Sequence, residues 1–179
     1  MTTAKIKRKE PAQRYLGLDL SLSPGVATIE VRSRQPYLIA AESIATSTED
    51  NDAVRSITVE SFIACHIYAN RPYVTVLRED FTAGRNKRAT QTIFNAWAAA
   101  DRALHTYGYT VDDVKPPLSP TTVKKLVAGN GKAEKPEVAT TVRKLLRLDP
   151  EYKFAAGYDD SDACAVILAY LIREGLIDT

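Results

Sequence analysis

Residues 15–45 read YLGLDLSLSPGVATIEVRSRQPYLIAAESIA, and the way apolar runs alternate with turn residues here decides the fold. Tyr15 to Asp19 is a short apolar run that ends on a carboxylate, the pattern of a buried strand. Ser21, Ser23, Pro24 and Gly25 supply a turn. Val26 to Val31 and Tyr37 to Ala45 read as two further strands around a tight polar turn at Arg32 to Gln35. Three successive strands with connections this short predict an antiparallel meander.

Working outward, residues 50–68 predict a helix, and Tyr73 to Leu77 is a β-branched and aromatic strand that runs into Arg78 and Glu79. Ala89, Ile93, Ala96, Trp97, Ala100, Leu104 and Tyr107 then recur at the spacing of one helical face. Asp113 to Leu118 reads as a last short strand. Ser119-Pro120 has the form of an N-cap followed by proline at the first helical position. Val138, Val142, Leu145 and Leu146 mark another amphipathic helix with Pro136 in its first turn, and a final helix spans residues 159–174. This order predicts an α/β fold: a mixed five-stranded sheet, its first three strands antiparallel, flanked by helices.

The chain has 179 residues, 45% hydrophobic and 26% charged, enough for one core in residues 14–179. A net charge of +2 does not by itself announce a polyanionic partner. The charges are unevenly placed, however: from Pro120 to Pro150 seven basic residues stand against three acidic ones. Residues 1–13 are polar and basic and predict a flexible arm with no signal-peptide core; an organellar presequence is the alternative. Cys65 and Cys164 are far apart, in apolar helical contexts and outside any metal-spaced set, which predicts free, buried thiols of an intracellular, cytoplasmic protein. No run approaches a membrane span.

The last helix carries the chemistry. Ala163, Val166, Ile167, Tyr170 and Leu171 form its apolar stripe, and four residues before Ala163 and Val166 stand Asp159 and Asp162. Both acids therefore continue the inward face, while Asp160 points elsewhere. A helix-capping role explains one aspartate at this end but not Asp162, which lies inside the helix. Acids aimed at a packed body need a counter-charge, and a divalent cation supplies one. Asp19 and Glu79 end two strands and meet these aspartates if the strands are neighbours. Oxygen-only donors favour Mg²⁺ or Mn²⁺ over zinc, and a pair of such ions suits phosphodiester cleavage. His66 and His105 sit within predicted helices and offer no competing zinc site.

Four segments in order resemble the RuvC family of Holliday-junction resolvases. Tyr15-Leu-Gly-Leu-Asp19-Leu-Ser-Leu-Ser-Pro-Gly25 is similar to the family's first strand and turn, in its phage-type form, and Val76-Leu-Arg-Glu79 to the strand ending in its glutamate. Pro120-Thr-Thr-Val-Lys124-Lys-Leu-Val-Ala-Gly129-Asn-Gly131-Lys132-Ala-Glu-Lys135 resembles its helix and Gly-x-Gly-x-Ala-x-Lys turn, and Asp159-Asp-Ser-Asp162-Ala-Cys-Ala its terminal D-x-x-D-A-x-A element. The resemblance implies an RNase H-like fold and a homodimer that nicks four-way DNA junctions symmetrically, leaving 5′-phosphate and 3′-hydroxyl ends. It implies Asp19, Glu79, Asp159 and Asp162 as catalytic ligands of two Mg²⁺ ions, with Mn²⁺ a substitute and no nucleotide cofactor. It also implies that Lys124, Gly129, Gly131, Lys132 and Lys135 lie along the DNA backbone. Bacterial members carry an unstacking aromatic three residues after the glutamate, whereas Phe81 here follows by two; Arg85, Lys87 and Arg88 come next as phosphate contacts.

One other nuclease reading stays open, a RuvC-like or YqgF-like enzyme acting on flaps, forks or RNA. A non-catalytic branched-DNA binder has no use for acids near phosphates. A fragment of the sugar-kinase and actin superfamily would need a second domain that 179 residues do not hold.

Overall fold

The computed structural model describes residues 12–21, 23–80 and 87–178. Strands β1 (Gln13–Asp19), β2 (Gly25–Arg32) and β3 (Gln35–Ser43) form the antiparallel meander, and β4 (Thr75–Arg78) pairs parallel to β1. The sheet order is β3-β2-β1-β4. The helices are α1 (Asp52–Asn70), α2 (Lys87–Thr106), α3 (Pro120–Ala128), α4 (Lys135–Leu145) and α5 (Asp159–Arg173).

Side-chain alternation along the strands splits the core in two. Tyr15, Ala27, Ile29, Val31 and Leu77 face α3, α4 and α5. Leu16, Leu18, Val26 and Val76 face α1 and α2. Because the central strands are covered on both faces, β1 reads as an unbroken apolar run rather than an alternating one. Helix α5 is apolar almost all round, with Ala163 to Ala169 and Leu171 buried. It presses directly on β1 at Gly17, where a Cβ would stand 2.4 Å from the Ala163 carbonyl oxygen and 2.6 Å from Ile167 Cγ1.

The caps follow the sequence. The Ser119 hydroxyl accepts from the Thr122 amide at 3.3 Å, with Pro120 behind it, and opens α3. At α4, Glu134 and Glu137 form a capping box in which the Glu134 amide donates to Glu137 Oε2 at 2.7 Å.

The expected fifth strand at Asp113 to Leu118 does not form, and among the described residues the sheet has four strands. The segment does run past the outer edge of β4. The Asp112 amide donates to the Val76 carbonyl (2.9 Å), the Val76 amide to Asp112 Oδ2 (2.7 Å), and the Asp80 amide to the Leu118 carbonyl (2.8 Å). Between these contacts Pro116 and Pro117 bring no amide hydrogens, so no ladder can close.

Cys65 also departs from expectation: both thiols are free, but Cys65 is exposed on α1 and only Cys164 is buried. His105 is exposed. His66 is structural, fully enclosed between Thr28 Oγ1 (2.8 Å from Nε2) and Glu42 Oε2 (2.8 Å from Nδ1). Among the described residues no helix is long and apolar enough to cross a membrane. The expected arm, 1–13, falls almost wholly outside the described residues.

Candidate active site

Parallel pairing sets Leu18 of β1 opposite Arg78 of β4, so the next residues, Asp19 and Glu79, leave the sheet side by side. The Glu79 amide still donates to the Leu18 carbonyl at 3.3 Å. On its other side Asp19 pairs with Gly25, the first residue of β2, and Gly25 abuts the backbone of Asp159. The first turn of α5 is thereby held against the end of β1. Carboxylate oxygens of Asp19, Asp159 and Asp162 lie within 4.8 Å of one another. Glu79 lies outside that trio but lines the same cleft of about 320 Å³, together with Ser21, Lys124, Lys135 and an apolar wall of Pro120, Val123, Val138 and Ala165.

Asp160 faces away, as its helical position requires, and is more deeply buried than Asp159 and Asp162. Its Oδ2 accepts from the Ala155 amide (3.0 Å) and its Oδ1 from the Ser161 amide (2.9 Å). Of the three acidic residues in the first turn, this one ties the preceding loop to the helix.

Crowding acids in a poorly hydrated cleft disfavours their charge. Burial, then the nearby Asp162 and Asp159 carboxylates, push Asp19 up to about 7, against the pull of Lys135. Burial, then Asp19 and Asp162, push Glu79 up to about 8, with Lys124 and Lys135 opposing. Asp162 is raised as well, chiefly by burial. The counter-charge present is Lys135, whose ammonium lies 2.9 Å from Asp159 Oδ1 and 2.8 Å from Asp162 Oδ2.

The structure divides the residues expected along DNA. Lys124 lines the cleft, and Lys135 reaches across it to the acids. Lys132 is exposed in the α3–α4 turn, its amide held by Asn130 Oδ1 at 3.0 Å. Gly129 closes α3 in the left-handed region at φ 74°, and Gly131 packs where a Cβ would meet Thr121 Cγ2 at 2.7 Å. Both glycines thus have a reason within the turn itself. Lys87 and Arg88 open α2, and Arg88 grips Asp52 through two bonds of 2.7 and 2.6 Å. Phe81 and Arg85 lie outside the described residues. Sequence reasoning missed Ser21 in the cleft and Trp97, which shares an adjoining hollow with Asp19 and Glu79. Trp97 falls on the helical face that the spacing of α2 marks out, and spacing alone does not show that this face reaches the cleft.

The donor set fits a divalent cation. It consists of carboxylate oxygens within bridging reach, with no histidine or cysteine in the group, the choice of hard ions such as Mg²⁺ or Mn²⁺. A mixed sheet whose central strand ends in such a cluster, with lysines at its rim, defines a nuclease of the RNase H-like class.

The family described as crossover junction endodeoxyribonuclease RuvC matches residues 16–170. A RuvC from Streptomyces griseus is 32% identical over 163 residues, covering 89% of this chain and 76% of the relative. One from Caldanaerobacter subterraneus is 27% identical over 175 residues, covering 92% and 96%. The Thermus thermophilus RuvC structure in complex with a Holliday junction substrate superimposes with a TM-score of 0.75 at 23% identity, covering 90% of this chain and 94% of that one. The fold is that of these RNase H-like proteins, and the chain belongs to the RuvC family.

Proposed function

We propose that Asp19, Asp159 and Asp162, with Glu79 beside them, hold two Mg²⁺ ions, for which Mn²⁺ can substitute, at the point where a DNA strand is cut. As a RuvC-family member the chain is an endodeoxyribonuclease that resolves four-way DNA junctions and leaves 5′-phosphate and 3′-hydroxyl ends. The observation that carries the catalytic assignment is the convergence of three aspartates, from β1 and the first turn of α5, to within 4.8 Å. Divalent ions held there supply an acidified water and shield the negative charge of the phosphate.

The chain's own residues do the rest. Asp19 and Glu79 are fixed by strand pairing, so their separation does not depend on a mobile loop. Asp159 and Asp162 are fixed by a helix buried along nearly its whole length. Lys124 at the cleft wall and Lys132 on the adjoining turn face the sugar–phosphate backbone, with Lys87 and Arg88 as further contacts along α2. Phe81, two residues after Glu79, is a candidate for unstacking bases at the crossover. Residues 14–179 act as one nuclease domain, and Lys5, Lys7, Arg8 and Lys9 ahead of it carry charge suited to phosphates. Two symmetric nicks require two such sites, which a homodimer provides, in an intracellular, cytoplasmic setting.

The test is a gel assay on synthetic four-way junctions, flaps and forks, with Mg²⁺ or with chelator. Junction cleavage that needs the ion and disappears in Asp19→Asn and Asp162→Asn, while both variants still bind the junction, is the expected result. Normal turnover by both variants would refute the site. Equal cleavage of flaps and forks would replace junction resolution by a broader branched-DNA activity.

A further inference from the structure

Lys135 occupies an unusual place for a residue expected to grip DNA. It is the first residue of α4, and the capping box fixes that helix start, aiming its side chain back over the cleft. Its ammonium has three acceptors: Asp159 Oδ1 at 2.9 Å, Asp162 Oδ2 at 2.8 Å and the Gly157 carbonyl at 3.0 Å. Three donors meet three acceptors, so the group is saturated. Two of those acceptors belong to the aspartates whose oxygens gather within 4.8 Å.

A divalent ion held by Asp19, Asp159 and Asp162 would draw the same oxygens to roughly 2.0–2.3 Å. An ammonium at 2.8–2.9 Å from two of those residues and a dication among them would be like charges in one small volume. The two do not share the site. The exit is open, however: the Lys135 side chain is 45% exposed, whereas those of Asp159 and Asp162 are 18% and 22% exposed. Lysine, with a flexible stem and a compact charge, can leave without disturbing α4.

We propose that Lys135 is the built-in counter-ion of Asp159 and Asp162 before cations load, and that a divalent cation enters by displacing its ammonium toward the cleft mouth beside Lys124. Lys135 thus keeps the acidic cluster compact and paired in the ion-free protein and sets a threshold for cation entry. This inference rests on the reading of the aspartates as cation ligands, and its test separates the two.

The test uses the full chain without DNA. Mn²⁺ affinity is measured by titration calorimetry, and thermal unfolding is followed in chelator and in Mn²⁺, for the wild type, Lys135→Met and Asp162→Asn. Methionine keeps the stem and removes the charge. Lys135→Met is expected to bind Mn²⁺ about tenfold more tightly, the scale of losing part-exposed ion pairs, to melt lower in chelator, and to gain more from Mn²⁺ than the wild type does. Lys135→Arg, which keeps a cation at the site, is expected to stay near wild type and controls for a variant that folds poorly. A purely structural lysine would lower the melting temperature and leave Mn²⁺ affinity equal or weaker, which overturns the proposal while the cation site stands. Mn²⁺ binding that survives in Asp162→Asn at full strength removes the site, and the proposal with it.

Discussion

Gly25 lies so close to Asp159 that a Cβ on it would stand 1.9 Å from the Asp159 carbonyl oxygen. Gly25 is also the strand partner of Asp19. One missing side chain therefore sets the distance between the acid that ends β1 and the acid that begins α5. Gly25→Ala must push the first turn of α5 outward. Cleavage is expected to fall by about a hundredfold, the scale of a roughly 1 Å misplacement in an active site, with a stability loss of about 1–3 kcal/mol from overpacking. Single-turnover cleavage and urea denaturation measure both. Wild-type values for both would mean that the helix start does not position the acids.

Asp160 separates a folding role from a catalytic one within the first turn of α5. Its carboxylate holds the Ala155 and Ser161 amides and faces away from the cleft. Asp160→Ala should lower stability by about 1–3 kcal/mol through unsatisfied buried amides and leave Mn²⁺ affinity unchanged. Asp162→Asn should do the reverse, losing the ion while retaining most of its stability, since burial disfavours the Asp162 charge more than Lys135 favours it. A parallel loss of ion binding in Asp160→Ala would contradict this division.

How far the site was legible in the sequence depended on what each residue's position rested on. Asp19 and Glu79 were readable because strand ends are marked by the loss of apolar character, and their adjacency then followed from one parallel pairing. Asp159 and Asp162 were readable because helical spacing sets them on one face, in line with Ala163 and Val166. Lys135 was found as a cation but placed on DNA, since its contact with the acids depends on how α4 packs against α5, which spacing along the chain does not encode. The fifth strand failed for a local reason that was visible, the adjacent Pro116 and Pro117, outweighed by the pattern around them. Cys65 was expected inside because apolar neighbours surround it in sequence, but it falls on the outer side of α1, which also exposes Ile57 and Tyr68.

The raised carboxyls make the ion-free protein sensitive to alkali. Asp19 goes from 3.8 to about 7 and Glu79 from 4.5 to about 8, so the folded state holds these protons more tightly than the unfolded chain. Their contribution to stability is complete below the unfolded values and is lost as pH rises through the folded ones. His66, whose proton burial disfavours, works in the opposite sense, so the wild type is best compared with Asp19→Asn, which keeps His66. In chelator, the stability of the wild type relative to Asp19→Asn should decline between about pH 4 and 7, the span of the Asp19 shift. Mg²⁺ should restore the wild type more at the upper end of that range. A relative stability that rises with pH would reverse the assigned cause.

Lys132 and Lys124 test the DNA-facing rim separately from the chemistry. Lys132 is exposed in the turn between α3 and α4, and Lys124 lines the cleft one helix away. Each phosphate contact that a lysine makes releases a condensed counter-ion, so each contributes about 0.9 to the slope of log affinity against log salt concentration. Lys132→Ala should weaken junction binding alike for every junction sequence and reduce that slope by about one, because a phosphate contact carries no base information. Lys124→Ala should reduce the slope similarly. It should also lower cleavage, because Lys124 stands close enough to Glu79 and Asp162 to oppose their upward shifts. Titrations of a labelled junction at several salt concentrations, in Ca²⁺ to hold back cutting, give the slopes directly. An unchanged slope for Lys132→Ala would move the backbone track away from the α3–α4 turn, toward the start of α2 where Lys87 and Arg88 stand.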